Sequence, residues 1–361
     1  MSLDDKSVKD ILSMVAPGTP LRDAIDNIMR ADKGALIFLV QDPKEYLKNG
    51  VIQGGFDLNC LFTPNKVYEL AKMDGAIVLS EDLKKIWYAN VQLSTDRSIP
   101  TDETGTRHRT AERLALQTGK LVIAVSQRRK VITLYQKDWK YMVKDVSVIV
   151  LQMNQGIRLM ERYRTNFDNS IISLSTKEME NRVTLFDVFE IINRGLKIIS
   201  LYRDLSFYLS ELGNEGVLTK LHMDELNDGV DENIGLLIMD YASERVIGKS
   251  HDPDRLMKVL FSNQKEEILD LFSFVRHMGY DIEEHQIFEM TLQPRGYRLL
   301  RSIPRIPMNI AHDLVKKFEN ISGLLKASFD DLMSVDGVAE KRATVIMSGI
   351  SSLKNRINYG N

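Results

Sequence analysis

Cysteine is almost absent from this chain, which has one cysteine, Cys60, among its 361 residues. A lone cysteine cannot form an internal disulfide, and it cannot supply a cysteine-based zinc finger. No stretch approaches the roughly 20 apolar residues that a membrane-spanning helix needs. The first ten residues alternate in charge and contain no apolar segment, so we expect no signal peptide and a cytoplasmic protein.

Several common catalytic and nucleotide-binding motifs are also missing. The chain contains no Walker loop, no G-x-G-x-x-G, no G-x-S-x-G, no H-E-x-x-H and no C-x-x-C. Its net charge of −2 is too small for binding a polyanion by bulk charge, so any nucleic-acid role requires a local basic patch. A hydrophobic content of 43% and a charged content of 27% are ordinary, and the length predicts two or three folded domains.

The first of three predicted domains, residues 1–145, has an α/β pattern. Apolar runs predict strands over residues 34–40, 76–79, 87–93, 121–125 and 131–135, and a short basic turn joins the last two into a hairpin. Helical spacing predicts helices over residues 21–29 and 64–73, the second with Thr63 as its N-cap and Pro64 in its first turn. We expect a mixed sheet wrapped by helices.

The two remaining predicted domains, residues 146–290 and 291–361, are all-α. Apolar residues at three- and four-residue steps predict a long helix from residue 146 and further helical stretches over 185–212 and 256–278. Pro253 is the only proline between residues 141 and 293. From residue 293 onward eleven Lys or Arg face six Asp or Glu, and a weak repeat aligns residues 303–311 with 335–343.

The first of two informative motifs is Asp74-Gly75-Ala76, at the start of an apolar run. Taken alone, Asp-Gly is most often a turn in which the carboxylate caps backbone amides. In a functional interpretation, Asp74 holds Mg²⁺ through oxygen, and Gly75 lets a ribose or phosphate approach the main chain.

The second motif is Gly105-Thr106-Arg107-His108-Arg109-Thr110, at the start of a helical pattern. A solvated basic stretch is the simpler interpretation, but cations are unfavourable at a helix N-terminus. An anion is favourable there, and arginine matches phosphate oxygens in a bidentate way. The motif therefore predicts a phosphate site, and it favours the metal-binding interpretation of Asp74.

Together, these motifs resemble the signature of the diadenylate cyclase family. Nearly the full chain resembles the bacterial DNA integrity scanning family, with a cyclase domain, a helical spine and a helix-hairpin-helix module. The resemblance implies that two ATP become cyclic di-AMP with the help of Mg²⁺ or Mn²⁺, that Asp74 is the metal ligand, and that Asp74, Arg107, His108 and Arg109 are catalytic. The nucleotide-binding residues that it implies are Gly75, Leu93, Thr106, Arg107, His108, Arg109, Thr110, Ser126, Arg128 and Arg129. An exposed hairpin turn is an equally good interpretation of the last three, and Gln127 is left out because relatives often carry arginine there.

The C-terminal repeat resembles two helix-hairpin-helix units, whose turns present backbone N–H groups to DNA phosphates. The second copy implies DNA contacts from Gly337, Val338, Ala339, Lys341 and Arg342. The first copy has Arg305 and Pro307 in place of both glycines. A packing module that mediates assembly is the alternative, and the local positive charge favours DNA.

The family resemblance also implies partners and a cellular role. The implied DNA partner is branched or junction DNA, and the implied role is in the repair of DNA damage. The implied assembly is a homo-oligomer, an octamer, in which cyclase domains face each other. A different function stays open, that of a non-enzymatic DNA-binding protein whose nucleotide site is an allosteric sensor.

Overall fold

The computed structural model describes residues 4–247, 252–253, 255–257 and 270–358. These residues divide into two compact units, the first drawn from residues 1–155 and 205–221 and the second from 156–204 and 222–361. Residues after 290 thus group with helices of the predicted spine. The predicted domain boundaries at 145/146 and 290/291 remain predictions.

The first unit is built on a mixed eight-stranded sheet. Its strands are β1 (Ala35–Val40), β2 (Ile52–Gln53), β3 (Phe56–Leu61), β4 (Ala76–Ser80), β5 (Lys85–Leu93), β6 (Val122–Val125), β7 (Ile132–Gln136) and β8 (Trp139–Met142). They follow the order β2-β5-β4-β1-β6-β7-β8, with β3 also paired to β5. The β1–β4 pair is parallel and the other pairs are antiparallel.

Helices cover both faces of this sheet. The helices before residue 145 are α1 (Asp5–Met14), α2 (Pro20–Arg30), α3 (Lys44–Lys48), α4 (Pro64–Leu70) and α5 (Thr106–Thr118). Strand β1 is buried at all six positions, because Ile37 and Leu39 join the core beneath α1, α2 and α4 while Phe38 joins the core beneath α5. A strand that is buried on both faces has a continuous apolar sequence. This apolar run is the pattern from which the strand was predicted.

The strand register brings distant loops to one edge of the sheet. Ala35 of β1 pairs with Val125 of β6, and Ala76 of β4 pairs with Val91 of β5. Because β1 and β4 are parallel, their N-terminal ends lie beside the C-terminal ends of β5 and β6. Residues 34, 74–75, 93 and 126 therefore meet at this edge.

The rest of the described chain is helical. Its helices are α6 (Val146–Met179), α7 (Leu185–Leu212), α8 (Val217–Asn227), α9 (Val230–Tyr241), α10 (Glu244–Ile247), α11 (Leu271–His277), α12 (Glu284–Glu289), α13 (Tyr297–Ser302), α14 (Met308–Phe318), α15 (Ile321–Lys326), α16 (Phe329–Met333) and α17 (Glu340–Asn358). The predicted order of a mixed sheet followed by helices is confirmed. Of the stretch predicted over 256–278, residues 258–269 lie outside the described part. In that described part, no helix combines the length and apolar character needed to cross a membrane.

Candidate functional site

A first pocket, of about 400 Å³, opens at the sheet edge described above. Its lining residues are Leu36, Asp74, Gly75, Ala76, Asn90, Val91, Gln92, Leu93, Thr106, Arg107 and Thr110. Both sequence motifs contribute to it, although they lie about thirty positions apart. The pocket offers an apolar floor, one carboxylate, two hydroxyls and a guanidinium, which suits an apolar ring that carries a charged tail.

The start of α5 supplies the polar wall of the first pocket. Gly105 is the N-cap and has no side chain, so the first-turn amides receive no side-chain cap, and the first turn contains no acidic residue. Uncapped amides at a helix N-terminus, reinforced by the helix dipole, favour an anion. Thr106, Arg107 and Thr110 lie on the side of this turn that faces the pocket.

Gly75 is a glycine because two strands come very close at this point. A Cβ on Gly75 would lie 2.3 Å from the carbonyl carbon of Asn90, a distance that no side chain could accept. Asn90 itself adopts a left-handed φ of 54°, at an irregularity in the β4–β5 register, and its Oδ1 accepts the amide of Gly75 at 3.1 Å. This contact fixes the backbone beside Asp74, whose side chain is exposed at the pocket mouth.

Arg107 reaches back to the start of β1. A Cβ on Gly34 would lie 2.8 Å from Nη1 of Arg107 and 2.8 Å from the carbonyl oxygen of Val125. A side chain at position 34 would therefore displace the guanidinium. Gly34 was not predicted as a site residue, and its only sequence signal is a glycine directly before an apolar strand.

A second pocket, of about 620 Å³, lies on another side of the same helix start. Its lining residues are Glu103, Thr104, Gly105, His108, Ser126, Arg128 and Arg129. The structure thus separates the predicted nucleotide-binding residues into two groups. Arg109 is exposed and lines neither pocket.

The basic turn between β6 and β7 is the predicted hairpin, and Ser126 shapes it. The Ser126 hydroxyl accepts the amide of Arg129 at 3.2 Å, and the Ser126 amide donates to the carbonyl of Val131 at 3.0 Å. The exposed guanidinium groups of Arg128 and Arg129 give the second pocket its positive charge.

His108 lies among several charges in the second pocket. Burial lowers the pKa of His108, the positive charges of Arg129, Lys140 and Arg107 lower it further, and the carboxylate of Glu103 opposes them. A lowered pKa favours the neutral imidazole near pH 7, which can accept a hydrogen bond as well as donate one.

A divalent metal ion would have to share its ligands with a substrate. Among the residues that the structure describes, no three His, Cys, Asp or Glu side chains are grouped to hold a metal ion. Mg²⁺ is often bound through one or two carboxylates together with substrate phosphates and water. The carboxylate of Asp74 is an oxygen donor at the first pocket and fits that pattern.

The C-terminal repeat forms two helical hairpins that share a left-handed residue at the equivalent position. Helices α13 and α14 flank residues 303–307, and α16 and α17 flank residues 335–339. Arg305 and Gly337 occupy equivalent positions, with left-handed φ values of 66° and 75°. The first hairpin keeps its shape without glycine, although Pro307 removes one N–H donor. In the second, Arg342 donates to the carbonyl of Gly337 at 2.5 Å, and Lys341 is exposed.

Three arginines that contributed to the predicted basic patch are paired with acids of the spine. Arg295 pairs with Glu244 at 2.8 Å, Arg301 pairs with Glu232 at 2.5 Å, and Arg298 pairs with Glu178. These pairs reduce the local excess of five positive charges to two. The charge count is therefore weaker support for DNA binding than the sequence suggested, because the neutralising carboxylates lie more than 50 positions earlier in the chain.

The buried carboxylate of Asp240 caps the start of α13. It accepts the amides of Gly296 at 2.8 Å, Tyr297 at 2.7 Å and Arg298 at 3.1 Å. Burial raises the pKa of Asp240 to about 6, the charge of Glu178 adds to the rise, and Arg298 and the amides oppose it. This helix start thus contains its own anion.

Sequence similarity covers nearly the whole chain. Residues 22–139 match the family model described as the DisA bacterial checkpoint controller nucleotide-binding region, and residues 143–287 match its linker region. The DNA integrity scanning protein DisA of Thermotoga petrophila is 46% identical over 96% of this chain and 96% of that protein. The one from Thermotoga maritima is 45% identical over 98% of both chains. A solved structure of DacA from Staphylococcus aureus is 17% identical, with a TM-score of 0.29, over 41% of this chain and 93% of that one.

Proposed function

The chain belongs to the bacterial DNA integrity scanning family and is a diadenylate cyclase, and we propose that it condenses two ATP into cyclic di-3′,5′-AMP under the control of DNA. The observation that carries this proposal is the first pocket, where Asp74 and the uncapped start of α5 share one cavity. An apolar floor beside an anion-binding helix start suits a nucleoside triphosphate.

Each half of the reaction forms one bond and breaks one bond. The ribose 3′-oxygen of one ATP attacks the α-phosphorus of the other, and the bond from that phosphorus to the α,β-bridging oxygen breaks. Pyrophosphate leaves, and the hydroxyl proton passes to solvent or to the leaving group. Two such steps, in opposite senses, give one cyclic dinucleotide and two pyrophosphates.

The residues of the first pocket would act mainly by positioning and charge stabilisation, as in other phosphoryl and nucleotidyl transfers. Gly75 and Leu93 would seat the nucleoside at the sheet edge. Thr106, Arg107 and Thr110 would bind the phosphates through hydroxyl, guanidinium and helix amides. Asp74 would hold Mg²⁺ or Mn²⁺ together with phosphate oxygens, and the metal would supply charge neutralisation there.

The second pocket would serve the facing subunit. One domain with one such phosphate site holds one ATP, so two domains must face each other for the two in-line attacks. His108, Ser126, Arg128 and Arg129 would then meet phosphates brought by the other subunit, and the exposed Arg109 would lie at the same interface. We propose a homo-oligomer built on such pairs, an octamer in the full assembly.

The C-terminal hairpins would bind DNA through its backbone. The second hairpin supports this best, because Gly337 lies in a tight turn, and Val338 and Ala339 lead from it into α17, which carries the exposed Lys341 and Arg342. Such contacts read phosphates and not bases, so the partner would be selected by its shape, as branched or junction DNA. Binding there would inhibit the cyclase by changing how its two sites face each other.

One assay tests both halves of the proposal. Purified protein with ATP and Mg²⁺ is expected to form cyclic di-AMP and pyrophosphate in a 1:2 ratio without any partner. A four-way junction should reduce the rate more than a plain duplex of equal length. A complete lack of product, with ATP still bound, would favour a nucleotide sensor over an enzyme. Equal rates with and without bound junction would remove the DNA control.

A further inference from the structure

We propose that Glu103 is a positioning residue for the cyclase reaction, and that its carboxylate fixes the loop before α5 and the surroundings of the His108 ring. The inference rests on the proposed function, because it assigns His108 a part in the reaction. Glu103 does not line the first pocket and does not belong to either sequence motif.

The geometry of Glu103 is that of a clamp. Its side chain is only 11% exposed, and Oε1 accepts the hydroxyl of Tyr135 at 2.8 Å and the ammonium of Lys140 at 2.5 Å. These partners come from β7 and β8, so the clamp ties an irregular loop to the edge of the sheet. The loop leads directly into Gly105, the N-cap of α5.

One of these partners, Tyr135, also packs against the ring of His108. The Tyr135 ring lies edge-on to it, with centroids 6.3 Å apart and planes at 82°. Tyr135 is itself 1% exposed and cannot move without disturbing the core. Glu103 and His108 also line the same pocket. A displaced carboxylate would therefore release both the loop and one wall of the imidazole site.

The charges give the clamp a second effect. Burial alone would raise the pKa of Glu103, but hydrogen bonds from Lys140 and Tyr135 more than compensate, and its pKa lies below the ordinary value. Glu103 therefore stays ionised near neutral pH. Its negative charge raises the pKa of His108, whereas Lys140, Arg107 and Arg129 lower it, and burial lowers it most. Glu103 thus partly compensates the effect of three cations on the imidazole.

Two variants separate this role from simple loop anchoring, because they are expected to shift the pKa of His108 in opposite directions. Glu103→Gln removes the negative charge and keeps the size, so the pKa of His108 should fall. Lys140→Met removes a positive charge at an exposed position, so the pKa should rise. Asp102→Asn is the matched control, since it removes a neighbouring exposed charge that does not line the second pocket.

The experiment measures kcat and KM for ATP against pH in the full-length protein, with thermal denaturation as a check on folding. We expect Glu103→Gln to lower kcat about tenfold, a typical loss for an orienting partner, with KM changed less than about twofold. The midpoint of the kcat–pH profile should move to lower pH in Glu103→Gln and to higher pH in Lys140→Met. It should not move in Asp102→Asn. Glu103→Asp should restore part of the rate.

An activity-independent measurement keeps the inference separate from the proposed function. The protein is labelled at histidine, the His108 resonance is assigned with His108→Gln, and its titration is followed by NMR in each variant. If the wild type makes no product, the proposed function fails, and the positioning role in catalysis fails with it. If the wild type is active but the His108 titration midpoints of Glu103→Gln and Lys140→Met do not separate, only the inference about Glu103 is overturned.

Discussion

Helices α5 and α13 begin in similar ways and differ in what occupies their N-termini. Each follows a glycine N-cap and carries arginines in its first turns, as Gly105-Thr106-Arg107 and Gly296-Tyr297-Arg298. At α5 the first-turn amides have no side-chain cap. At α13 the same amides donate to the buried carboxylate of Asp240. The start of α5 is therefore open to an anion from solution, whereas the start of α13 is already occupied by the carboxylate of Asp240.

The difference shows that a basic helix start is not a ligand site by composition alone. The anion of α13 comes from α9, 56 positions away from Gly296, and the partner of Arg298 comes from Glu178 on α6. A buried charge that is paired inside the protein serves folding, whereas an uncapped start beside a cavity is available for a substrate. The four variants below are chosen to test this division.

The largest effect is expected at Asp74, which supplies the carboxylate of the open site. Asp74→Asn keeps the shape and removes the charge that a metal ion needs, so cyclic di-AMP formation should fall by roughly a thousandfold or more. Thermal stability should stay unchanged because the side chain is exposed. Product formation by Asp74→Asn at near the wild-type rate, with Asp102→Asn as the control, would show that the open site does not use this carboxylate.

The next largest effect is expected at Arg298, in the filled start. Arg298→Ala leaves the buried carboxylates of Glu178 and Asp240 without their cation, which should cost about 3 kcal/mol in the free energy of unfolding. Arg301→Ala is the control on the same helix. Its pair with Glu232 is about 35% to 46% exposed, so its loss should cost less than about 1 kcal/mol. Equal losses in chemical denaturation would contradict the distinction between buried and exposed pairs.

Arg107 tests the opposite behaviour. Arg107→Ala should weaken ATP binding by about 2 kcal/mol, or roughly thirtyfold, through the loss of charge-assisted contacts with phosphate. The free energy of unfolding should change little, because the guanidinium has no described acidic partner. Calorimetric titration with ATP measures the loss, and the exposed Arg97→Ala is the control. If Arg107→Ala changed stability and left ATP affinity intact, the start of α5 would serve folding, as the start of α13 does.

The sequence predicted the elements whose own residues determine them. Thr63 caps α4 as predicted, accepting the amide of Lys66 at 3.3 Å, and α7 begins and ends at the predicted residues 185 and 212. It also predicted the β6–β7 hairpin from two apolar runs around a basic turn. Local propensity and apolar periodicity are sufficient for such features.

The features that the sequence did not predict depend on pairing between distant segments. Strand β3 was missed because its side chains are half-exposed or exposed and it carries a left-handed residue at Asn59. Asn90 and Glu103 were missed as site residues because their partners come from other strands. The counter-ions of three arginines after residue 293 were not predicted for the same reason, since they lie in α6, α9 and α10.

The smallest effect is expected for DNA binding at the second hairpin. A point variant is preferable to removal of the module, because loss of α13 would leave Glu178 and Asp240 unpaired. Lys341 is exposed in the first turn of α17, where it would contact one phosphate. Lys341→Ala should weaken junction and duplex binding alike by less than about 1 kcal/mol, because a phosphate contact carries no sequence information.

The salt dependence of DNA affinity makes this small change decisive. Releasing one counter-ion fewer should reduce the slope of log K against log salt concentration by about 0.9, whatever DNA is used. Lys220→Ala, an exposed lysine on α8 in the first unit, is the matched control and should leave the slope unchanged. An unaltered slope in Lys341→Ala would show that Lys341 contacts no DNA phosphate. The DNA surface would then have to lie elsewhere, among the remaining exposed cations such as Arg305 and Lys326.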